Sequence, residues 1–128
     1  MSRPVVVISG RHRPHQLFLM AVSLMTGLAY TLGAPTPSSL TALLPGWALL
    51  TWSVGMLVAG AVGLYGAWRS LRLEQTGLLL GAAALIWYVA AVVPFGWRAL
   101  LPGAICVAWA AANVVRAAEI QRAVRGHR

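Results

Sequence analysis

The chain has 128 residues, of which 59% are hydrophobic and 9% charged, where soluble globular domains carry about 25% charge. A water-soluble domain this short cannot bury so much apolar surface, so composition excludes that class and points to a single integral membrane domain. The net charge of +8 comes from ten Arg against two Glu, with no Lys or Asp; these Arg fall at predicted helix ends rather than on one continuous face, which argues against a nucleic-acid partner.

In chain order, residues 1–15 contain Pro4, Gly10 and Pro14, which oppose a long helix, and Val5 to Ile8 fit a short strand or interfacial segment. Arg11, His12, Arg13 and His15 stand directly before the first apolar run, as a juxtamembrane anchor that also suits anionic lipid headgroups. Residues 17–33 form the first span. Their order resembles a secretory signal, but the small-residue cleavage pattern around Thr31 to Ala34 is poor and three further spans follow, so a retained helix is expected. Across residues 34–46, Pro35 and Pro37 break the helix and Ser38 or Ser39 can cap a short new one. Its Leu40, Leu43 and Leu44 would share one face in the membrane interface.

Residues 47–68 are the segment with the clearest assignment. They number 22 without one charge. As a helix they reach about 33 Å, which matches a hydrocarbon core of about 30 Å. Only a helix satisfies their backbone groups inside lipid. A polar turn over residues 69–75 leads to the third span, 76–93. Pro94, Phe95 and Gly96 make a tight turn, and residues 99–115 form the fourth span, with Pro102 near its start. Residues 116–128 are a basic tail in which Glu119 and Arg122, at i, i+3, extend the last helix beyond the membrane.

The expected fold is therefore all-α: a four-helix transmembrane bundle of two helical hairpins. An even number of spans puts both termini on one side. With the termini inside, the inner segments hold nine Arg, among them the anchors Arg11, Arg13, Arg69, Arg72, Arg116, Arg122 and Arg125, and the outer loops hold only Arg98. That bias predicts a bacterial inner-membrane protein with both termini cytoplasmic. Tyr30, Trp47 and Trp97 would mark the outer interface, and Tyr65 and Trp68 the inner one.

The pentapeptide Ala42 to Gly46 recurs as Ala99 to Gly103 at an offset of 57, which also places Trp52 on Trp109. Such a match arises from duplicated hairpins or from chance in a chain rich in Ala, Leu, Pro and Gly. Small residues recur every four positions: Gly55, Ala59, Gly63 and Ala67 in the second span, Gly77 and Gly81 in the third, Ala104, Ala108 and Ala112 in the fourth, and Ser23, Gly27 and Thr31 in the first. These faces admit close helix–helix packing, within the chain or in a homo-oligomer. Glu74 is expected to cap the third span and pair with Arg72 or Arg69, and Asn113 to hydrogen-bond another helix.

No catalytic constellation stands out. The three His are peripheral, no phosphate-binding glycine loop is present, and the single Cys106 sits in an apolar run as a small packing residue. The chain reads as non-enzymatic, with no cofactor and no metal site. Its partners would be the bilayer, further copies of itself, or another membrane or cytoplasmic protein for which it serves as a scaffold or subunit.

By length, four spans, basic tail and helices suited to association, the chain resembles the small four-span membrane proteins of actinobacteria and their phages, some of them holin-like. The resemblance is one of layout and carries over no functional residue. It implies accumulation in the inner membrane followed by sudden assembly of large lesions that release a muralytic enzyme. Small multidrug-type transporters share the layout but use a membrane-embedded Glu in the first helix, and residues 17–33 contain no acid.

Overall fold

The computed structural model describes residues 14–36, 41–42 and 44–126. The anchors Arg11 and Arg13, the cap and leucine positions 38–40 and 43, and residues 127–128 lie outside the described residues. Within them the fold is all-helical, with no strand: α1 (Pro14–Thr31), α2 (Gly46–Arg69), α3 (Leu71–Val92) and α4 (Trp97–Arg125), with a 3₁₀ turn (Val93–Phe95) before α4.

Local chemistry sets the helix ends. α1 opens on Pro14, where a missing N–H costs little. It closes on Gly33, at φ 84°. The Gly33 N–H donates to the Tyr30 carbonyl (3.2 Å) and the Ala34 N–H to the Ala29 carbonyl (2.9 Å), the bond pair of a Schellman cap. Between α2 and α3 stands one extended residue, Ser70. Its N–H donates to the Gly66 carbonyl (2.8 Å) and its carbonyl accepts from the Glu74 N–H (3.0 Å), so a single residue ends one helix and starts the next.

The polar turn expected over residues 69–75 is thus reduced to Ser70, and Arg72 and Glu74 lie in the first turn of α3. The turn expected at Pro94 to Gly96 is present, with Gly96 at φ 59°. That glycine starts α4 at Trp97, two residues before the expected boundary, and leaves Pro102 inside the helix. The repeated pentapeptide therefore differs between its copies: Pro45 caps α2, whereas the second copy lies wholly within α4.

Each helix runs antiparallel to the next and packs on it along a seam spaced alternately by three and four. On α1 the seam is Gln16, Met20, Ser23 and Gly27. On α3 it is Glu74, Leu78, Gly81, Leu85, Tyr88 and Val92. On α4 it is Ala99, Gly103, Ala110, Asn113, Ala117 and Ile120. This is heptad spacing, the geometry of helices crossing at about 20°.

The α2–α3 contact is the closest. Gly77 stands against the Gly63 backbone, and a Cβ there would also lie 2.9 Å from the Ala59 carbonyl. Gly66 abuts the first turn of α3 at Glu74, and α1 presses on α2 through Gly27 and Gly60. One apolar cluster, with Trp52, Met56, Leu85 and Tyr88, fills the half toward the 3₁₀ turn. A smaller one, Met20, Leu78, Ala117 and Ile120, fills the other half. The last turns of α4, expected as a tail beyond the membrane, are thus packed against α1 and α3.

The outward faces are as apolar as the inner ones: Phe18, Leu50, Ile86 and Leu101 are all at least half exposed. Exposed apolar surface on this scale marks contact with lipid or partners. Three helices, α2, α3 with its 3₁₀ extension, and α4, are long and apolar enough to cross a membrane.

Gly77→Ala should cost about 1–3 kcal/mol of stability in detergent, because the new methyl meets backbone that cannot rotate away. Gly103→Ala, whose Cβ would meet nothing within 4 Å, should be neutral or stabilising by up to about 1 kcal/mol. Parallel denaturation of both variants in mixed micelles checks the pair.

Candidate functional site

Of the five buried polar residues among those described, Ser23 and Ser53 bond to the backbone of their own helices, and the other three lie in the half of the molecule that carries most of the arginines. Gln16 comes from α1, Glu74 from the first turn of α3, and Asn113 from α4; each is at least 95% buried. The Gln16 Nε2 donates to Asn113 Oδ1 at 2.9 Å and joins the first helix to the last. The Gln75 Nε2 donates to the Ala117 carbonyl (3.4 Å). Arg116, one turn beyond Asn113, reaches Glu74 through Nη2 and Glu119 through Nη1, each at 3.4 Å. Its side chain is 13% exposed and that of Glu74 is 4% exposed, so the pair is shielded from solvent.

The expectation that Asn113 bonds another helix therefore holds, and its partner is Gln16. The expected pairing of Glu74 is corrected: its cation is Arg116, 42 residues away on α4, and not Arg72 or Arg69. Helix geometry explains the difference. Arg72 precedes Glu74 by two positions, a spacing that does not bring side chains together, whereas the antiparallel α4 lays Arg116 across the same turn. The Glu74 carboxylate also lies in the first turn of α3, where the helix dipole favours an anion. Its Oε2 has no hydrogen-bond partner among the described residues. Arg116 is thus an internal ion-pair partner as well as a basic residue near a helix end, while Arg69, Arg72, Arg122 and Arg125 are exposed.

The small residues divide sharply. Ala59, Gly63, Ala67, Gly77 and Gly81 are buried between helices, and Gly55 is half-buried, its Cβ position 3.4 Å from Ala84. A Cβ at Gly81 would stand 3.0 Å from the Asn113 amide, so this glycine makes room for the polar contact. Ala104, Ala108 and Ala112 are all exposed. Where the four helices meet, Ser23, Gly60, Gly77, Trp109 and Asn113 line a void of about 10 Å³. That is room for about one water molecule.

Cys106 packs half-buried against the larger apolar cluster. A tilted aromatic run, Tyr30 on Trp52 (6.0 Å) and Trp52 on Tyr88 (5.5 Å), links α1, α2 and α3. Among the described residues no group of three His, Cys, Asp or Glu is placed to hold a metal ion. Chemically the arrangement is a charge-locked helix junction: it fixes which turn of α4 faces which turn of α1 and α3.

Sequence reasoning missed Gln16, which lies just before the predicted first span, and the Glu74–Arg116 pair. The three-and-four spacing of Gln16, Met20, Ser23 and Gly27 was the available signal. No protein-family model, curated protein or solved structure matches the chain.

Arg116→Met should destabilise by about 3–5 kcal/mol, since it strands a buried carboxylate. Adding Glu74→Gln should restore much of that loss. Equal stability of the single and double variants in a denaturant titration would mean that the pair contributes no coupling.

Proposed function

We propose that this chain is a non-enzymatic integral membrane protein with four spans and both termini in the cytoplasm, acting as a scaffold or subunit through helix–helix association. One observation carries the association reading: 17% of the most apolar stretch of α4 is buried inside the molecule, against 39% for α2 and for α3. Its exposed face bears Ala104, Ala108 and Ala112 between the exposed Leu101, Ile105 and Val115. In lipid, helices associate by close packing rather than by a hydrophobic force, and a small-residue face flanked by aliphatics is the surface that permits it. The other small-residue faces are used inside the chain, so α4 is the face left for a partner.

The orientation reading rests on charge. Arg69, Arg72, Arg116, Arg122 and Arg125 lie toward one end of the helices, and Arg98 lies at the other. The fourth span is α1, which has 18 residues and reaches about 27 Å. Its polar Gln16 is turned inward onto Asn113, which lowers the cost of placing it in lipid.

Ala108→Leu should weaken association by about tenfold through lost close approach, with the fold unchanged because the site is exposed. Crosslinking in native membranes, with Gly63→Leu as the variant that disturbs internal packing instead, checks this. Accessibility labelling of cysteines introduced at Gly126 and Trp97 should report inside and outside, respectively; the reverse pattern refutes the orientation. Membrane potential followed during induced expression should fall gradually or stay constant. An abrupt collapse after a delay would favour the holin-like alternative.

A further inference from the structure

A second polar feature lies outside the buried junction. Between the arginine-rich ends of α3 and α4 is an open cavity of about 370 Å³ lined by Arg72, Gln75, Thr76, Gln121, Val124 and Arg125. Its two guanidinium groups come from different helices, and no acidic side chain lines it among the described residues. The chain's only side-chain carboxylates, Glu74 and Glu119, are both engaged by Arg116. Neither Arg72 nor Arg125 has an ion-pair partner among the described residues. The Thr76 hydroxyl donates to the Arg72 carbonyl (2.9 Å) and the Gln75 amide to the Ala117 carbonyl, so both wall residues are held in place by bonds to backbone. Gln121 lines the cavity from the α4 side.

We propose that this cavity binds a phosphate oxyanion between Arg72 and Arg125, supplied by the headgroup of an anionic phospholipid. Guanidinium groups match phosphate oxygens with paired N–H donors, and a basic pocket between membrane helices near their cytoplasmic ends is a headgroup site by its chemistry. The surface that leaves the cavity fits the remainder of the lipid. Thr76, Leu79, Leu80 and Ala83 follow one another on one face of α3, and Leu79 and Leu80 are over 40% exposed. On α4, Val114 and Val107 lie on the same face as Gln121 and are likewise exposed. An acyl chain can therefore run along apolar side chains from a phosphate held by arginine. This site is separate from the α4 association face and stands whether or not that face has a partner.

The test uses the full chain in dodecyl maltoside micelles, with lipid retention counted by native mass spectrometry. Dioleoylphosphatidylglycerol should bind at least about tenfold more tightly than dioleoylphosphatidylcholine, from two basic contacts. Arg72→Gln with Arg125→Gln should abolish that preference, and Gln121→Ala should weaken it by about threefold. Arg69→Gln with Arg122→Gln removes the same charge outside the cavity and should leave the preference within about threefold of wild type. Competition by millimolar inorganic phosphate would support the site and identify a soluble phosphate as its ligand; absence of competition supports the lipid. The proposal is overturned if the wild type shows no preference and binds no phosphate. It is also overturned if the two double variants lose the preference equally, because net charge alone would then explain it.

Discussion

The structure depends on one contact, the backbone-to-backbone approach of α2 and α3. Ser70 gives the chain a single residue in which to reverse, so the two helices leave the corner already touching. That is feasible only because Gly66 lets the first turn of α3 lie on α2, and Gly77 then meets Gly63 about one turn further on. Dispersion is strong at this distance and falls off steeply with a gap of even half an ångström. In lipid, where burying a leucine gains little over leaving it outside, this is the main apolar term available. The register of the hairpin follows from the glycines, and everything packed on it inherits that register.

Close packing of small residues holds helices together but discriminates poorly between registers, since one alanine resembles the next. The buried polar groups supply the discrimination. Sliding α4 by one turn would separate Asn113 from Gln16 and Arg116 from Glu74 together, leaving buried amides and a buried carboxylate unpaired. A buried ion pair adds little net stability relative to an apolar pair of the same shape. Its effect here is to make the alternatives worse. α1 and α4, which are not neighbours in the chain, are joined by the Gln16–Asn113 bond as well as by apolar packing.

Much of this architecture is legible in the sequence: the helices, the turn at Pro94 to Gly96, the continuation of α4 past residue 115, and an interhelical role for Asn113. The charge-free run of residues 47–68 sets the second helix almost to its ends. What is not legible follows from the solvent. In water, polarity separates the buried face from the exposed one; here Leu101 and Ile105 face outward while Gln16, Glu74 and Asn113 face inward, so hydropathy contrast does not reveal the seam. The seam is written in residue size and in three-and-four spacing instead. The polar run over 69–75 reads as a loop by composition, yet Glu74 lies in the first turn of α3, its carboxylate paired with Arg116, a partner that only the tertiary arrangement supplies. The small-residue stripes look alike in sequence, and only the packing separates those between helices from Ala104, Ala108 and Ala112 on the outside.

α4 shows how the two halves of the molecule differ. Toward the 3₁₀ turn its buried residues are the small Ala99, Gly103 and Ala110, with Cys106 and Trp109 half-buried beside them, and the face that carries Leu101, Ala104, Ile105 and Ala108 is exposed. Toward the arginine-rich end it is held by Arg116, by the Gln75 amide on its backbone, and by Ala117 and Ile120 against Met20 and Leu78. A helix fixed firmly at one end and lightly packed at the other opens first at the lightly packed end, where the local contact density is lowest. The exposed stripe begins in that half, at Ala104. A partner helix seated there would complete the packing of α4 without disturbing the charged junction, so association and internal register are set by different residues of the same helix.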